Sequence, residues 1–106
     1  MPKSFDIEVT ADDGNTVAHL AGDLDLSVRA EVVTRVTAII EGTRAPTRLV
    51  LDLREVTFCD SSGLGALLDI RRAAADAAIA MVLRDVPPAV SRLLDLTDVD
   101  GWLSRE

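Results

Sequence analysis

Residues 5–10 (FDIEVT) alternate apolar and polar positions, with Phe5, Ile7 and Val9 on one side, which is the period of a half-buried strand. Asp12-Asp13-Gly14-Asn15 carries turn chemistry. Residues 16–21 (TVAHLA) read as a second strand, so the spacing predicts a hairpin whose second strand ends at Gly22. The pattern then turns helical. Val28, Val32, Val36 and Ile39 fall on one stripe, with Val33 and Ile40 beside it. Ser27 is the expected N-cap and Gly42 the expected stop. Residues 44–47 (RAPT) read as a loop, and residues 49–53 (LVLDL), with Val56 and Phe58 close behind, as a buried central strand. A second helix is predicted from near Ser62 to about Ala77, with Leu64, Leu67, Leu68 and Ala75 inward and Arg71 and Arg72 on its solvated side. Residues 79–83 (IAMVL) form another buried strand. Pro87-Pro88 breaks the chain, and Pro88 suits the first turn of a short third helix carrying Val90, Leu93 and Leu94. Trp102-Leu103 is expected to be a last short strand or a tail over the core.

The order is strand–strand–helix–strand–helix–strand–helix. Alternation of this kind implies parallel neighbours joined by right-handed crossovers. The fold class is therefore α/β: a mixed β-sheet with an N-terminal hairpin and helices packed on it. With 106 residues and no internal repeat, low-complexity segment or linker, the chain is expected to be one domain spanning 1–106.

Charge narrows the partners. Eighteen acidic residues against 11 basic ones give a net charge of −7, which weighs against nucleic acid and against an anionic membrane surface. A protein partner with a basic face is compatible with it, and so is solubility alone. Phe5, Phe58 and Trp102 are the whole aromatic complement, too few for a base-stacking platform. No apolar run approaches the ~20 residues that span a bilayer, and MPKSFDIE has no apolar signal region, so an intracellular, cytoplasmic protein without membrane insertion is expected. The single cysteine, Cys59, forms no internal disulfide, in keeping with a reducing compartment.

The candidate chemistry lies in residues 58–68 (FCDSSGLGALL), where a strand gives way to a helix. A helix start presents N–H groups and a dipole that favour negative charge, a suitable field for a phosphate on a serine. Asp60 could orient the Ser61 hydroxyl, accept its proton, or cap the helix, and spacing alone favours the cap. Gly63 and Gly65 are expected to leave the helix start open to another protein's backbone. A hydrolytic serine is disfavoured, because the stretch lacks the G-x-S-x-G elbow. The one histidine, His19, lies in a predicted strand; facing the Val17 side, it would be a sheet-face residue. No phosphate-binding loop of the G-x₄-G-K-[ST] type is present, and one cysteine with one histidine makes no zinc site.

Three segments together carry a resemblance. Gly22-Asp23-Leu24-Asp25-Leu26 is similar to G-[DE]-[LI]-D. Leu51-Asp52-Leu53, followed by Val56-Thr57-Phe58-Cys59-Asp60-Ser61-Ser62-Gly63-Leu64-Gly65, is similar to L-x-L…D-S-[ST]-G-L-G. Residues 86–97 (VPPAVSRLLDLT) resemble P-x-V-x-R-L-L-x-[LI]-T. In this order and spacing, over almost the whole chain, they resemble the STAS domain family, and within it the bacterial anti-sigma factor antagonists. The resemblance implies a non-enzymatic regulator without a cofactor of its own. Its unmodified form binds an anti-sigma factor that is also a serine kinase of GHKL type and so frees a sigma factor. Phosphorylation releases it and a serine phosphatase resets it. By position the phosphoacceptor is Ser61, with Ser62 the second choice, and the partner-binding set is Asp25, Asp60, Ser61, Ser62, Gly63, Leu64 and Gly65. The alternative is a STAS interaction subunit of a stressosome-like scaffold or of a lipid or anion transporter complex. Two departures stand out. Ala77-Ala78 replace a Gly-Gly pair common in the family, so the usual left-handed helix end is expected to be missing, and Asp98 replaces a glycine.

Overall fold

β1 (Phe5–Asp12) and β2 (Asn15–Leu24) pair antiparallel, from Phe5 opposite Gly22 to Asp12 opposite Asn15. Gly14, at φ +82°, supplies the left-handed residue that so tight a turn requires. The structure is a computed structural model that describes residues 5–12, 14–42, 47–97 and 103–106, with residue 12 described by its backbone. Beyond the hairpin come α1 (Leu26–Ile40), β3 (Arg48–Cys59), α2 (Ser61–Asp76), β4 (Ala80–Arg84) and α3 (Pro88–Thr97). The sheet order is β1-β2-β3-β4, with β2, β3 and β4 mutually parallel. This is the predicted mixed sheet, element for element.

One face of the sheet carries the core. Leu20 of β2, Leu49, Leu51 and Leu53 of β3 and Leu83 of β4 pack in one cluster with Val32, Val36 and Ile40 of α1, Leu64, Leu67 and Ile70 of α2, and Val90 and Leu94 of α3. Each such side chain, fully buried, contributes roughly 1.5–3 kcal/mol. The stripe on α1 runs through Ile40, with Ile39 only half-buried. On α2 the inward alanine is Ala74, and Ala75 is exposed. Both are one-residue corrections to the predicted faces.

The strands run longer than their sequence pattern predicts, because β3 contains two bulges. His19 pairs with Asp52, Ala21 with Glu55 and Leu24 with Cys59, so β3 gains one residue over β2 twice. Each extra residue reverses which face the following side chains take. Leu53, Val56 and Cys59 therefore all point inward, and Phe58, expected in the core, is 49% exposed. Gly22 does not end β2. At φ +104° it provides the backbone conformation at the second bulge, and the strand continues to Leu24.

α2 ends in the left-handed turn that its sequence argued against. Ala78 adopts φ +57°, Ala78 N donates to Ala75 O (3.0 Å) and Ile79 N donates to Ala74 O (2.8 Å). That is the Schellman pattern with alanine at the position usually given to glycine. Residues 103–106 close the fold. Leu103 is buried in the cluster, while Leu83 N donates to Ser104 O and Glu106 N to Leu83 O, both at 2.8 Å. Trp102, Asp98 and residues 44–46 lie outside the described residues.

The opposite face of the sheet is polar at its surface. His19 faces the Val17 side, as a sheet-face residue. Its Nδ1 lies 3.0 Å from Asp52 Oδ2 and its Nε2 lies 3.1 Å from Thr10 Oγ1. The second oxygen of the buried Asp52 accepts from Arg54 N at 3.0 Å, so both carboxylate oxygens are satisfied. In sequence Asp52 belongs to a strand motif, and its 33-residue separation from His19 gives no sign of the pair.

Candidate functional site: two paired helix starts

The pairing of Leu24 with Cys59 sets the next residues, Asp25 and Asp60, side by side at the carboxyl ends of two parallel strands. Asp60 N also reaches Leu24 O at 3.4 Å. Both aspartates are extended and both cap a helix. Asp25 Oδ1 accepts from Ser27 N (3.0 Å) and from Ser27 Oγ (2.6 Å). Asp60 Oδ1 accepts from Ser62 N (2.9 Å) and Gly63 N (3.0 Å). The N-cap of α1 is thus Asp25 and not Ser27, and the helix begins one residue before the expected cap. A carboxylate outcompetes the hydroxyl here because it accepts two hydrogen bonds at once with full charge.

These bonds decide what Ser61 and Ser62 do. Asp60 is the cap of α2, so neither serine is needed for it. Ser61 is the first residue of the helix and is exposed, and among the described residues none hydrogen-bonds its hydroxyl. Ser62 is half-buried. The N–H groups of Ser62 and Gly63 go to the Asp60 carboxylate and that of Leu64 goes to Asp60 O at 2.9 Å. The first-turn donors expected to greet a phosphate are therefore already engaged.

Gly63 and Gly65 answer to the interior of this chain. A Cβ on Gly63 would stand 2.2 Å from Leu24 O and 2.8 Å from Cys59 Sγ, so glycine is what lets α2 start against the end of β2. A Cβ on Gly65 would meet the Arg29 guanidinium at 2.7 Å, the movable end of a long side chain. Arg29, in the first turn of α1, pairs with Asp69, two turns into α2, at 3.1 Å and ties the two helices together. Leu64 is buried, so its side chain packs inward. The outward members of the set are Asp25, Asp60, Ser61 and Ser62.

Cys59 supports the turn from beneath. It is buried, its thiol lies 3.6 Å from Asp60 O, and burial, reinforced by the Asp60 charge, pushes its pKa up to about 11. It is a packing thiol and not a nucleophile. Among the described residues, no cluster of His, Cys, Asp and Glu could hold a metal ion. Two apolar side chains flank the site in solvent, Leu26 at 72% and Phe58 at 49% exposure. From Leu26 an apolar groove of about 390 Å³ runs along Ala30 and Val33.

Comparison with known proteins fits this arrangement. The family described as "Mlab, STAS domain" matches residues 7–105. The chain belongs to the STAS domain family. Within it, the chain is 32% identical over 94 residues to the anti-sigma F factor antagonist of Paenibacillus polymyxa, covering 89% of this chain and 80% of that protein. The crystal structure of an anti-sigma factor antagonist from Mycobacterium paratuberculosis superposes with a TM-score of 0.84 at 25% identity, over 99% of this chain and 87% of that one. The Bacillus cell fate determinant SpoIIAA in its phosphorylated form shares the fold, with a TM-score of 0.69 at 24% identity over 96% of this chain and 90% of that one.

Proposed function

We propose that this STAS chain, acting as a single domain over residues 1–106, is an anti-sigma factor antagonist switched at Ser61. The unmodified domain docks on an anti-sigma factor through the end of the molecule that carries Asp25, Asp60, Ser61 and Ser62, with Leu26 and Phe58 supplying apolar contact. Gly63 and Leu64, both buried, and Gly65 support that surface from behind. The partner is a GHKL-type serine kinase that brings its own ATP and Mg²⁺. A serine phosphatase reverses the modification. The chain works in the cytoplasm as a binding module and not as an enzyme; among its described residues no helix is long and apolar enough to cross a membrane.

The observation that carries this reading is the exposed, uncommitted Ser61 hydroxyl next to Asp60, one of two neighbouring capping aspartates. A phosphoryl group there adds about −1.5 to −2 charges. Its nearest helix donors already serve Asp60, and Asp25 and Asp60 are both negative. Water can solvate that group and this chain cannot. Covering it with a partner strands a hydrated dianion beside two carboxylates, and the complex dissociates. The switch then needs no rearrangement of the fold.

The test is a paired pull-down from native lysate with ATP and Mg²⁺, using wild type and Ser61→Asp as baits and mass spectrometry on bait and prey. Wild type is expected to retain a GHKL-fold anti-sigma factor that Ser61→Asp loses, with phosphate on Ser61 of the wild-type bait. Recovery of scaffold or transporter subunits by both baits, with Ser61 unmodified, would assign the chain to the alternative role.

A further inference from the structure

The two bulges of β3 decide where Ser61 stands, and each carries a side-chain clamp. At the first, between the His19–Asp52 and Ala21–Glu55 pairs, His19 Nδ1 meets Asp52 Oδ2 at 3.0 Å. Asp52 Oδ1 takes the N–H of Arg54, a residue inside the bulge. At the second, between the Gly22–Val56 and Asp23–Phe58 pairs, the extra residue is Thr57. Its hydroxyl donates to Asp23 Oδ1 at 2.8 Å, on the strand it has slipped past. Bulges leave a residue out of the ladder and lose pairing there. In this chain polar side chains restore bonds at both points.

The consequence is positional. With neither extra residue, Leu24 would stand opposite Thr57, and the strand would present Phe58 where Asp60 now lies. Two residues of strand amount to about 7 Å, enough to carry Ser61 away from Asp25 and from the start of α1. With only one extra residue, Cys59 would turn outward and its thiol would no longer lie against Gly63.

We infer that Thr57–Asp23 and His19–Asp52 are positioning pairs for the Ser61 site: they hold the two bulges that set Asp60 and Ser61 beside Asp25. The inference deepens the Ser61 reading and rests on it for its functional meaning, but its geometry can be tested without a partner. None of the four residues hydrogen-bonds Ser61, and each acts through strand register.

Native-state hydrogen exchange on the full chain separates positioning from general stability. Thr57→Val removes the hydroxyl and keeps the β-branched shape; Thr57→Ser restores the hydroxyl; His19→Ala opens the other clamp. The amides to follow are Asp60, Ser62 and Gly63, bonded to Leu24 O and to the Asp60 carboxylate, against Val50 and Leu51 in the centre of the sheet. Thr57→Val and His19→Ala are expected to speed exchange at the three site amides about tenfold, with Val50 and Leu51 changed less than about twofold. Thr57→Ser should exchange as wild type does. Equal acceleration everywhere, or none at the site, overturns the inference. Failure of the Ser61 reading shows elsewhere, in the pull-down, since exchange needs no anti-sigma factor.

Discussion

At the scale of single residues, the site is built by carboxylates and glycine more than by its serines. Asp60 engages the first-turn donors of α2, Gly63 admits Leu24 O and Cys59 Sγ, and Ser61 is left over. Cys59 gives a test of how closed the turn is. The unfolded thiol titrates near pH 9.0 and the folded one near 11. Its contribution to stability is complete below pH 9 and falls away between about 9 and 11, because the unfolded chain gives up its proton first. Native protein at pH 8 should resist a thiol reagent that labels it fully in urea. Wild type should also lose more stability than Cys59→Ala between pH 8 and pH 10. Rapid labelling of the native protein would show that the turn opens.

Among elements, the order and type of every helix and strand were legible from hydrophobic period alone, because aliphatic runs and their breakers leave little choice. What stayed hidden depended on local geometry that the alternating pattern does not encode. A two-residue period extended through Val56 and Phe58 puts Phe58 in the core, whereas the bulges turn it out. Residue preference alone allows either Asp25 or Ser27 as the cap of α1, and the structure uses Asp25. The helix end at Ala77-Ala78 was the opposite case: its composition argued against a left-handed turn that the backbone makes regardless. That last mismatch is measurable. Alanine at φ +57° carries a cost of about 1–2 kcal/mol, part of which glycine recovers after its own loss of chain entropy. Ala78→Gly should therefore raise stability by about 0.5–1 kcal/mol in urea denaturation, without altering Ser61. A neutral or destabilising result would mean that another contact holds Ala78 in place.

For the whole molecule, two faces do different work. The helix-covered face holds the apolar cluster, and the last residues seal its edge through Leu103 and the bonds from Leu83 to Ser104 and Glu106. The open face carries the hydrogen bonds that hold strand register. At its margin Arg84, with Arg48, holds the Glu106 carboxyl below its usual range, an exposed ion pair that salt screens. Leu103→Ala should cost about 2–5 kcal/mol, the range for a truncated core leucine, and urea titration measures it. A loss under 1 kcal/mol would show that the closing segment is dispensable. The Ser61 end lies at the carboxyl edge of β2 and β3, so Leu103→Ala should weaken the fold while leaving the turn at Asp60 and Ser61 unchanged.

The doubled bulge also makes the count of residues in β3 a property in its own right. Between Asp52 and Asp60 an exposed side chain such as Glu55, which faces water, could change and leave Ser61 where it stands. The loss or gain of one residue there could not be absorbed so easily. It would turn Cys59 out of the core and swing Ser61 to the other side of the sheet edge. Over these few residues, drift in this lineage should run through substitution, and insertions and deletions should collect in the outer loops.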